Sequence, residues 1–203
     1  MLNIAFEVAI NMAGIGISIF IARLVFVGYR AVSSPNLLRL TFAFISISLG
    51  FALLTLATLS QDNLLKQFLT DLGLGSQSLG YFFIAISHSM KSFNFGRTRH
   101  YNLFFYPLMM SIIIPGNSIE HLIRSISFIL IIYASIETIA SYIQNLRKST
   151  FLIGLSLAFL AIGELISWYN FIYPGSLFFY VANSVKIAGF VMMAVPFYRP
   201  NLG

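Results

Sequence analysis

Long apolar runs, separated by short polar connections, dominate the chain. A run of about 20 mostly apolar residues is long enough to cross the hydrocarbon core of a bilayer as a helix. Seven segments fit this description and predict seven transmembrane helices. Their bounds are roughly 2–28, 38–60, 77–96, 101–116, 122–145, 150–170 and 175–197.

Two parts of the chain depart from this regular pattern. The fourth segment is short, and Pro107 and Pro115 interrupt it, because proline lacks the backbone N–H that a helix needs. Six spans and one half-span is therefore the alternative count. In residues 61–76, apolar side chains recur on one helical face and charged side chains lie elsewhere. That spacing predicts a short amphipathic helix lying at the membrane surface.

The composition supports an environment of lipid. Hydrophobic residues make up 58% of the chain and charged residues 9%, whereas soluble domains have about 45–50% and about 25%. A chain this apolar cannot cover itself with polar surface in water. The predicted fold class is therefore an all-α, polytopic transmembrane helix bundle that forms a single domain over residues 1–203. Cysteine is absent, which excludes disulfides and thiolate metal sites.

The basic residues predict the orientation of the chain in a cell membrane. The net charge is +6, but these residues lie at segment ends rather than in a basic run, so we expect no nucleic-acid binding. Lysine and arginine concentrate on the cytoplasmic side of membrane proteins. The N-terminus is therefore predicted outside and the C-terminus in the cytoplasm. Nine basic residues lie on the predicted inner side, namely Arg23, Arg30, Arg39, Lys91, Arg97, Arg99, Arg147, Lys148 and Arg199, and the outer side has Lys66 and Arg124.

Spans one to three and five to seven show an internal similarity. One constant shift along the chain aligns Gly50 with Gly163. A smaller shift aligns Ser78 with Ser176 and places His88 over Lys186, and the difference between the two shifts corresponds to an insertion before span three. Three spans, a linking span and three more would form a 3+1+3 parallel repeat, an arrangement similar to that of small sugar transporters. The proline motifs of that family do not occur here, so we infer no membership.

Six ionisable residues fall inside the predicted spans. A charged side chain near the bilayer centre costs about 2.5–3.5 kcal/mol on insertion scales, so each residue needs a partner, a cavity or a function. Lys186 and His88 each lie about eleven residues from the outer end of their span, which is roughly 16 Å deep. The six form three layers: Glu7 with Glu164 outside, His88 with Lys186 in the centre, and Glu137 with Arg23 inside.

These layers have three interpretations. As a functional track, they could carry protons, because histidine titrates near neutral pH, or they could bind a polar or anionic solute. As structural contacts, Lys186 would pair with Glu164 and Arg23 with Glu137, and we favour this pairing. A third alternative is that some of these residues face a partner subunit.

The sequence leaves the function open between two main classes. No catalytic or nucleotide-binding motif is present, so we do not predict an enzyme. The first class is a non-catalytic integral subunit of a larger membrane complex, for example a respiratory or other energy-converting one. Its partners would be the lipid bilayer and other membrane subunits. The second class is a small transporter of a solute or of protons that uses the central pair His88 and Lys186.

Two cofactors are further alternatives. Haem could bind His88 together with Met109 or Met110, which we place at a similar height. Seven spans, an outside N-terminus and Lys186 in the middle of span seven resemble the microbial rhodopsins, and that resemblance implies retinal bound to Lys186. The resemblance is limited, because span three has no carboxylate and position 182 is Ala182.

Overall fold

The computed structural model describes residues 2–89 and 119–198, and nearly all of them are helical. The six described helices are α1 (Leu2–Val32), α2 (Pro35–Leu59), α3 (Asn63–Ser89), α4 (Ile119–Asn145), α5 (Lys148–Ile172) and α6 (Ser176–Tyr198). The predicted span at 101–116 lies outside the described residues.

Five of these helices are long and apolar enough to cross a membrane. They cover Ile4–Val32, Pro35–Leu59, Ile119–Gln144, Lys148–Ile172 and Leu177–Pro196. Large apolar side chains such as Ile45, Leu49 and Leu56 are more than half exposed on the outer face of α2. Apolar surface of this extent is unfavourable in water. The described residues form helices as predicted, and the apolar outer faces indicate a membrane-embedded protein.

The first half of α3 corrects the prediction for residues 61–76. These residues do not form a separate surface helix, because α3 is continuous from Asn63 to Ser89. Its polar positions, including Lys66, Thr70 and Gln77, line a cavity inside the bundle, while Leu64 and Phe68 are exposed on the outside. A helix with a polar inner face has the same periodicity as a surface helix. The pattern alone therefore could not distinguish them.

The described helices pack in a closed ring. Each helix packs against the next in chain order, and α6 packs against α1. Residues from the starts of α1, α3, α4 and α6 and from the ends of α2 and α5 line one cavity, so these termini lie at one end of the bundle. We call it the cavity end. Towards the opposite end the ring is filled by buried apolar side chains, among them Ile21, Phe44, Ile47, Leu160 and Phe190.

Two helical hairpins in this ring have the same turn. Ser33 after α1 and Leu146 after α4 are the described non-glycine residues with positive φ, at 53° and 52°. The shift that aligns Gly50 with Gly163 also aligns these two residues. Each donates its backbone N–H to a tyrosine carbonyl four residues earlier, over 2.7 Å in both turns. Such a left-handed residue ends a helix by satisfying a free carbonyl. Two residues later α2 and α5 begin, and each is 25 residues long.

Candidate functional site

A polar cavity of about 120 Å³ lies at the cavity end between all six described helices. Four charged residues line it, each from a different helix: Glu7, Lys66, Arg124 and Lys186. Uncharged polar side chains, including Asn11, Gln77 and Asn183, complete the wall. The cavity therefore combines a polar lining with an apolar outer surface on the surrounding helices.

Lys186 forms a buried ion pair. Its Nζ lies 2.9 Å from Oε1 of Glu164 on α5, and the same carboxylate oxygen accepts a hydrogen bond of 2.9 Å from the hydroxyl of Tyr81 on α3. Lys186 is 7% exposed, Glu164 2% and Tyr81 1%. The predicted pairing of Lys186 with Glu164 is present. Because Tyr81 comes from the other side of the ring, the contact links the first three described helices to the last three.

Glycines allow the helices that carry the cavity residues to approach closely. A Cβ placed at Gly163 on α5 would lie 2.6 Å from Cγ of Lys186. A Cβ placed at Gly50 on α2 would lie 2.5 Å from Cγ of Gln77. Real Cβ atoms do not approach so closely, so both glycines are required by the packing. Gln77 therefore occupies, beside Gly50, the place that Lys186 occupies beside Gly163.

The predicted alignment of span three with span seven pairs His88 with Lys186, whereas the contacts of Gly50 and Gly163 favour a register that pairs Gln77 with Lys186. The same register pairs Gly80 with Gly189, and each of these glycines lies against the preceding helix at matching positions. This register is offset by four residues, about one helical turn, from the one that aligns Gly50 with Gly163.

The backbone of His88 lies about 16 Å further along α3 than that of Gln77, which lines the cavity together with Lys186. The side chain of His88 lies outside the described residues, so the predicted layer of His88 and Lys186 stays a prediction.

Gln77 is a buried polar residue in the cavity wall. It is 3% exposed, and its Nε2 has no hydrogen-bond partner among the described residues. A buried donor without an acceptor costs about 1–3 kcal/mol. Such a group is expected where a ligand or water completes its bonding.

The remaining predicted residues separate into two groups. Glu7 lines the cavity. Arg23 is exposed and Glu137 is half-buried, and no ion pair joins them. The predicted pairing of Arg23 with Glu137 is therefore absent, and neither residue lines the cavity.

The sequence did not identify several residues of the site. Tyr81 and Gln77 are uncharged at neutral pH, so the search for intramembrane charges passed over them. Arg124, which lines the cavity, is held by Glu120 through two hydrogen bonds of 2.9 and 2.7 Å. His121 is buried, and its Nδ1 accepts a hydrogen bond of 3.0 Å from Nε1 of Trp168.

The structure bears differently on the two cofactor alternatives. Met109 and Met110 lie outside the described residues, and the side chain of His88 is not described, so haem ligation stays a prediction. Lys186, the residue on which the rhodopsin resemblance rests, is engaged by Glu164. A cavity of about 120 Å³ is also too small for a chromophore as long as retinal.

Fold and site together define a class, namely a helical membrane protein with a polar cavity inside its bundle. Comparison with protein-family models, with curated proteins and with solved structures finds no match for this chain.

Proposed function

We propose that this protein is a membrane carrier for a small polar solute, which binds in the cavity that Lys186 lines. One observation carries the proposal. Lys186, which belongs to a buried, charged and hydrogen-bonded cluster, lines a cavity that begins at exposed Lys66, and packed apolar side chains close the bundle beyond it. Polar groups at membrane depth are expensive, and they mark substrate pathways in transport proteins.

A parallel repeat supports the proposal. The turns at Ser33 and Leu146, the equal lengths of α2 and α5, and the contacts of Gly50 and Gly163 all recur between the two halves. We propose that α1–α3 and α4–α6 are two copies of one three-helix unit, related by an axis along the bundle. Transporters commonly bind their solute at the interface between such repeats.

The same arrangement supports an odd number of membrane crossings. Helices α3 and α4 both begin at the cavity end, so the chain leaves Ser89 on one side and enters Ile119 on the other. We propose that residues between them return across the membrane, which gives the predicted seven crossings. With the bias of nine basic residues against two, the cavity end faces outward and the C-terminus lies in the cytoplasm.

Two side-chain contacts across the ring suggest how the halves move. Tyr81 of the first half bonds to Glu164 of the second, and Phe51 of the first half packs edge-on against Phe190 of the second, with ring centroids 5.8 Å apart. Rocking of one half against the other would open the apolar side and close the cavity end, as in alternating access. Tyr81 and Phe51 are the contacts that such a motion has to break.

The proposal is tested by solute flux into proteoliposomes. Lactate, lactamide, alanine and alaninamide have nearly equal size and differ in charge, so radiolabelled forms of these four solutes sample anions, neutral solutes, zwitterions and cations. We expect saturable flux of at least one solute, abolished in the double variant Lys186→Met/Glu164→Gln and unchanged in Lys148→Met, which alters an exposed lysine at the opposite end. Absence of flux for all four solutes would contradict the proposal.

The subunit of a larger complex, the first class from the sequence, stays a prediction. No described contact favours it over a carrier. A native gel of the solubilised protein that shows stoichiometric partners, together with no flux from the isolated chain, would favour that class instead.

A further inference from the structure

We propose that the cavity binds a small anion of the carboxylate type, held between the ammonium of Lys186 and the side-chain amide of Gln77. The inference deepens the proposed carrier function by naming the class of its solute. It concerns binding, which can be measured without transport.

The charges that line the cavity favour an anion. Three cations, Lys66, Arg124 and Lys186, line the wall with one carboxylate, Glu7. The carboxylates that hold Lys186 and Arg124, namely Glu164 and Glu120, do not line the cavity. The groups that line the wall therefore carry an excess of positive charge, and such an excess in a cavity of low dielectric constant attracts anions.

Lys186 has capacity to bind a ligand in addition to Glu164. An ammonium group carries three N–H donors and no acceptor. One donor is directed at Oε1 of Glu164, at 2.9 Å. Since Lys186 lines the cavity and Glu164 does not, the remaining donors are available on the cavity side. Charge-assisted hydrogen bonds from an ammonium to a carboxylate are about twice as strong as neutral ones.

Gln77 provides the second contact. Gln77 lines the same cavity, and its Nε2 is a buried donor without an acceptor among the described residues. Gly50 packs closely against its side chain, as Gly163 does against Lys186. Rotation of the terminal amide about the Cγ–Cδ bond would turn this donor towards an anion that also accepts a hydrogen bond from Lys186.

The volume limits the size of the ligand. The cavity measures about 120 Å³, and an apolar protein cavity of about 150 Å³ accommodates benzene, which has six heavy atoms. A monocarboxylate of similar size, such as lactate, is therefore an appropriate probe.

The test compares binding of lactate, lactamide, alanine and alaninamide to the detergent-solubilised full chain by isothermal titration calorimetry. We expect lactate to bind at least about tenfold more tightly than the other three, because lactamide and alaninamide lack the carboxylate and alanine adds an ammonium that Lys186 repels. Gln77→Leu should weaken lactate binding by about tenfold, because it removes one hydrogen bond to the charged ligand. Gln77→Glu keeps the size but adds a like charge, and it should abolish binding.

Controls separate this inference from folding and from the carrier proposal. Gln77→Leu removes an unpartnered donor and should fold normally, and Lys148→Met should bind lactate as the native chain does. Equal binding of lactate and lactamide, preferred binding of alanine, or an unchanged affinity in Gln77→Leu would each overturn the anion site. Flux of lactamide without lactate binding would support the carrier proposal and contradict the anion site. Lactate binding without any flux would support the anion site and contradict the carrier proposal.

Discussion

Lys186 in the second half of the molecule and Gln77 in the first lie against equivalent glycines, yet only Lys186 is charged. The side chains beside the two residues explain this difference. Beside Lys186 stands Glu164, which Tyr81 supports with a hydrogen bond. Beside Gln77, the position matching Glu164 is Phe51, one residue after Gly50 as Glu164 is one residue after Gly163. The same backbone packing therefore accommodates a charge only in the half that supplies its counterion.

The partners across the ring follow the same rule. Phe190, which matches Tyr81 in the register that aligns Gln77 with Lys186, packs against Phe51 with their ring centroids 5.8 Å apart. Of these two contacts between the halves, one is therefore a phenylalanine pair and the other a tyrosine–glutamate pair. An apolar pair needs no hydrogen bonds, whereas a buried carboxylate does. The charged pair and Tyr81 therefore form a polar cluster, and the phenylalanine pair and Gln77 form its uncharged counterpart.

The largest expected effect comes from removing one partner of the charged pair. Lys186→Met leaves the carboxylate of Glu164 buried without its cation, and this should lower the free energy of unfolding by about 3–5 kcal/mol. The matched change in the other half, Gln77→Met, removes no charge and should alter it by less than about 1 kcal/mol. Thermal unfolding in detergent measures both. The double variant Lys186→Met/Glu164→Gln should recover most of the loss, and no recovery would show that the ion pair is not the cause.

The glycines should differ in the second largest effect. A methyl group added at Gly50 meets the backbone oxygen of Gly73 at 2.7 Å, whereas at Gly163 the nearest backbone atoms are 3.2 Å away. Since overpacking costs about 1–3 kcal/mol, we expect Gly50→Ala near the upper value and Gly163→Ala near the lower. Gly16→Ala, where nothing lies within 4 Å, is the control and should not destabilise. Equal losses at all three glycines would contradict the close helix contacts.

Tyr81→Phe should make the tyrosine–glutamate contact more like the phenylalanine pair. The change removes the hydrogen bond to Glu164 and keeps the ring, so the expected loss of unfolding free energy is about 1.5–3 kcal/mol. Unfolding of Tyr29→Phe, at a tyrosine in α1 near the opposite end, provides the comparison and should be nearly unchanged. If Tyr81→Phe is also neutral, the hydrogen bond does not support the ion pair.

The smallest effect tests whether the two halves share their turns. Ser33 and Leu146 adopt left-handed backbone conformations, which cost non-glycine residues roughly 1–2 kcal/mol. Ser33→Gly and Leu146→Gly should therefore each raise the free energy of unfolding by up to about 1 kcal/mol, because the entropy of glycine in the unfolded chain offsets part of the gain. Ser34→Gly, at an extended residue, should not stabilise. A gain at only one of the two turns would weaken the case for a repeat.

Prediction from the sequence succeeded where one physical rule dominated. The high cost of a bare charge in lipid predicts that Lys186 has a partner, and Glu164 was the carboxylate chosen. The turns that connect α1 with α2 and α4 with α5 have equal length, which is consistent with the predicted alignment of Gly50 with Gly163. Apolar length alone predicted the five described helices that are long and apolar enough to cross a membrane.

The failures have an equally definite cause. In the proposed repeat, one extra helical turn at the start of α3 changes which residue corresponds to Lys186, and only the contacts of Gly50 and Gly163 indicate that register. Gln77 was missed because a neutral amide inside a polar stretch resembles a solvated residue, and its burial depends on helices distant in sequence.

The central claim is that an aqueous cavity inside the bundle, next to Lys186, opens to one side of the membrane. Because the chain has no cysteine, single variants can be labelled without background. Asn183 lines the cavity, whereas its neighbour Ser184 is exposed outside it. In intact, oriented vesicles, a membrane-impermeant thiol reagent added outside should label Asn183→Cys rapidly and leave Ser184→Cys in lipid unlabelled. Labelling of both residues, or of neither, would contradict the account.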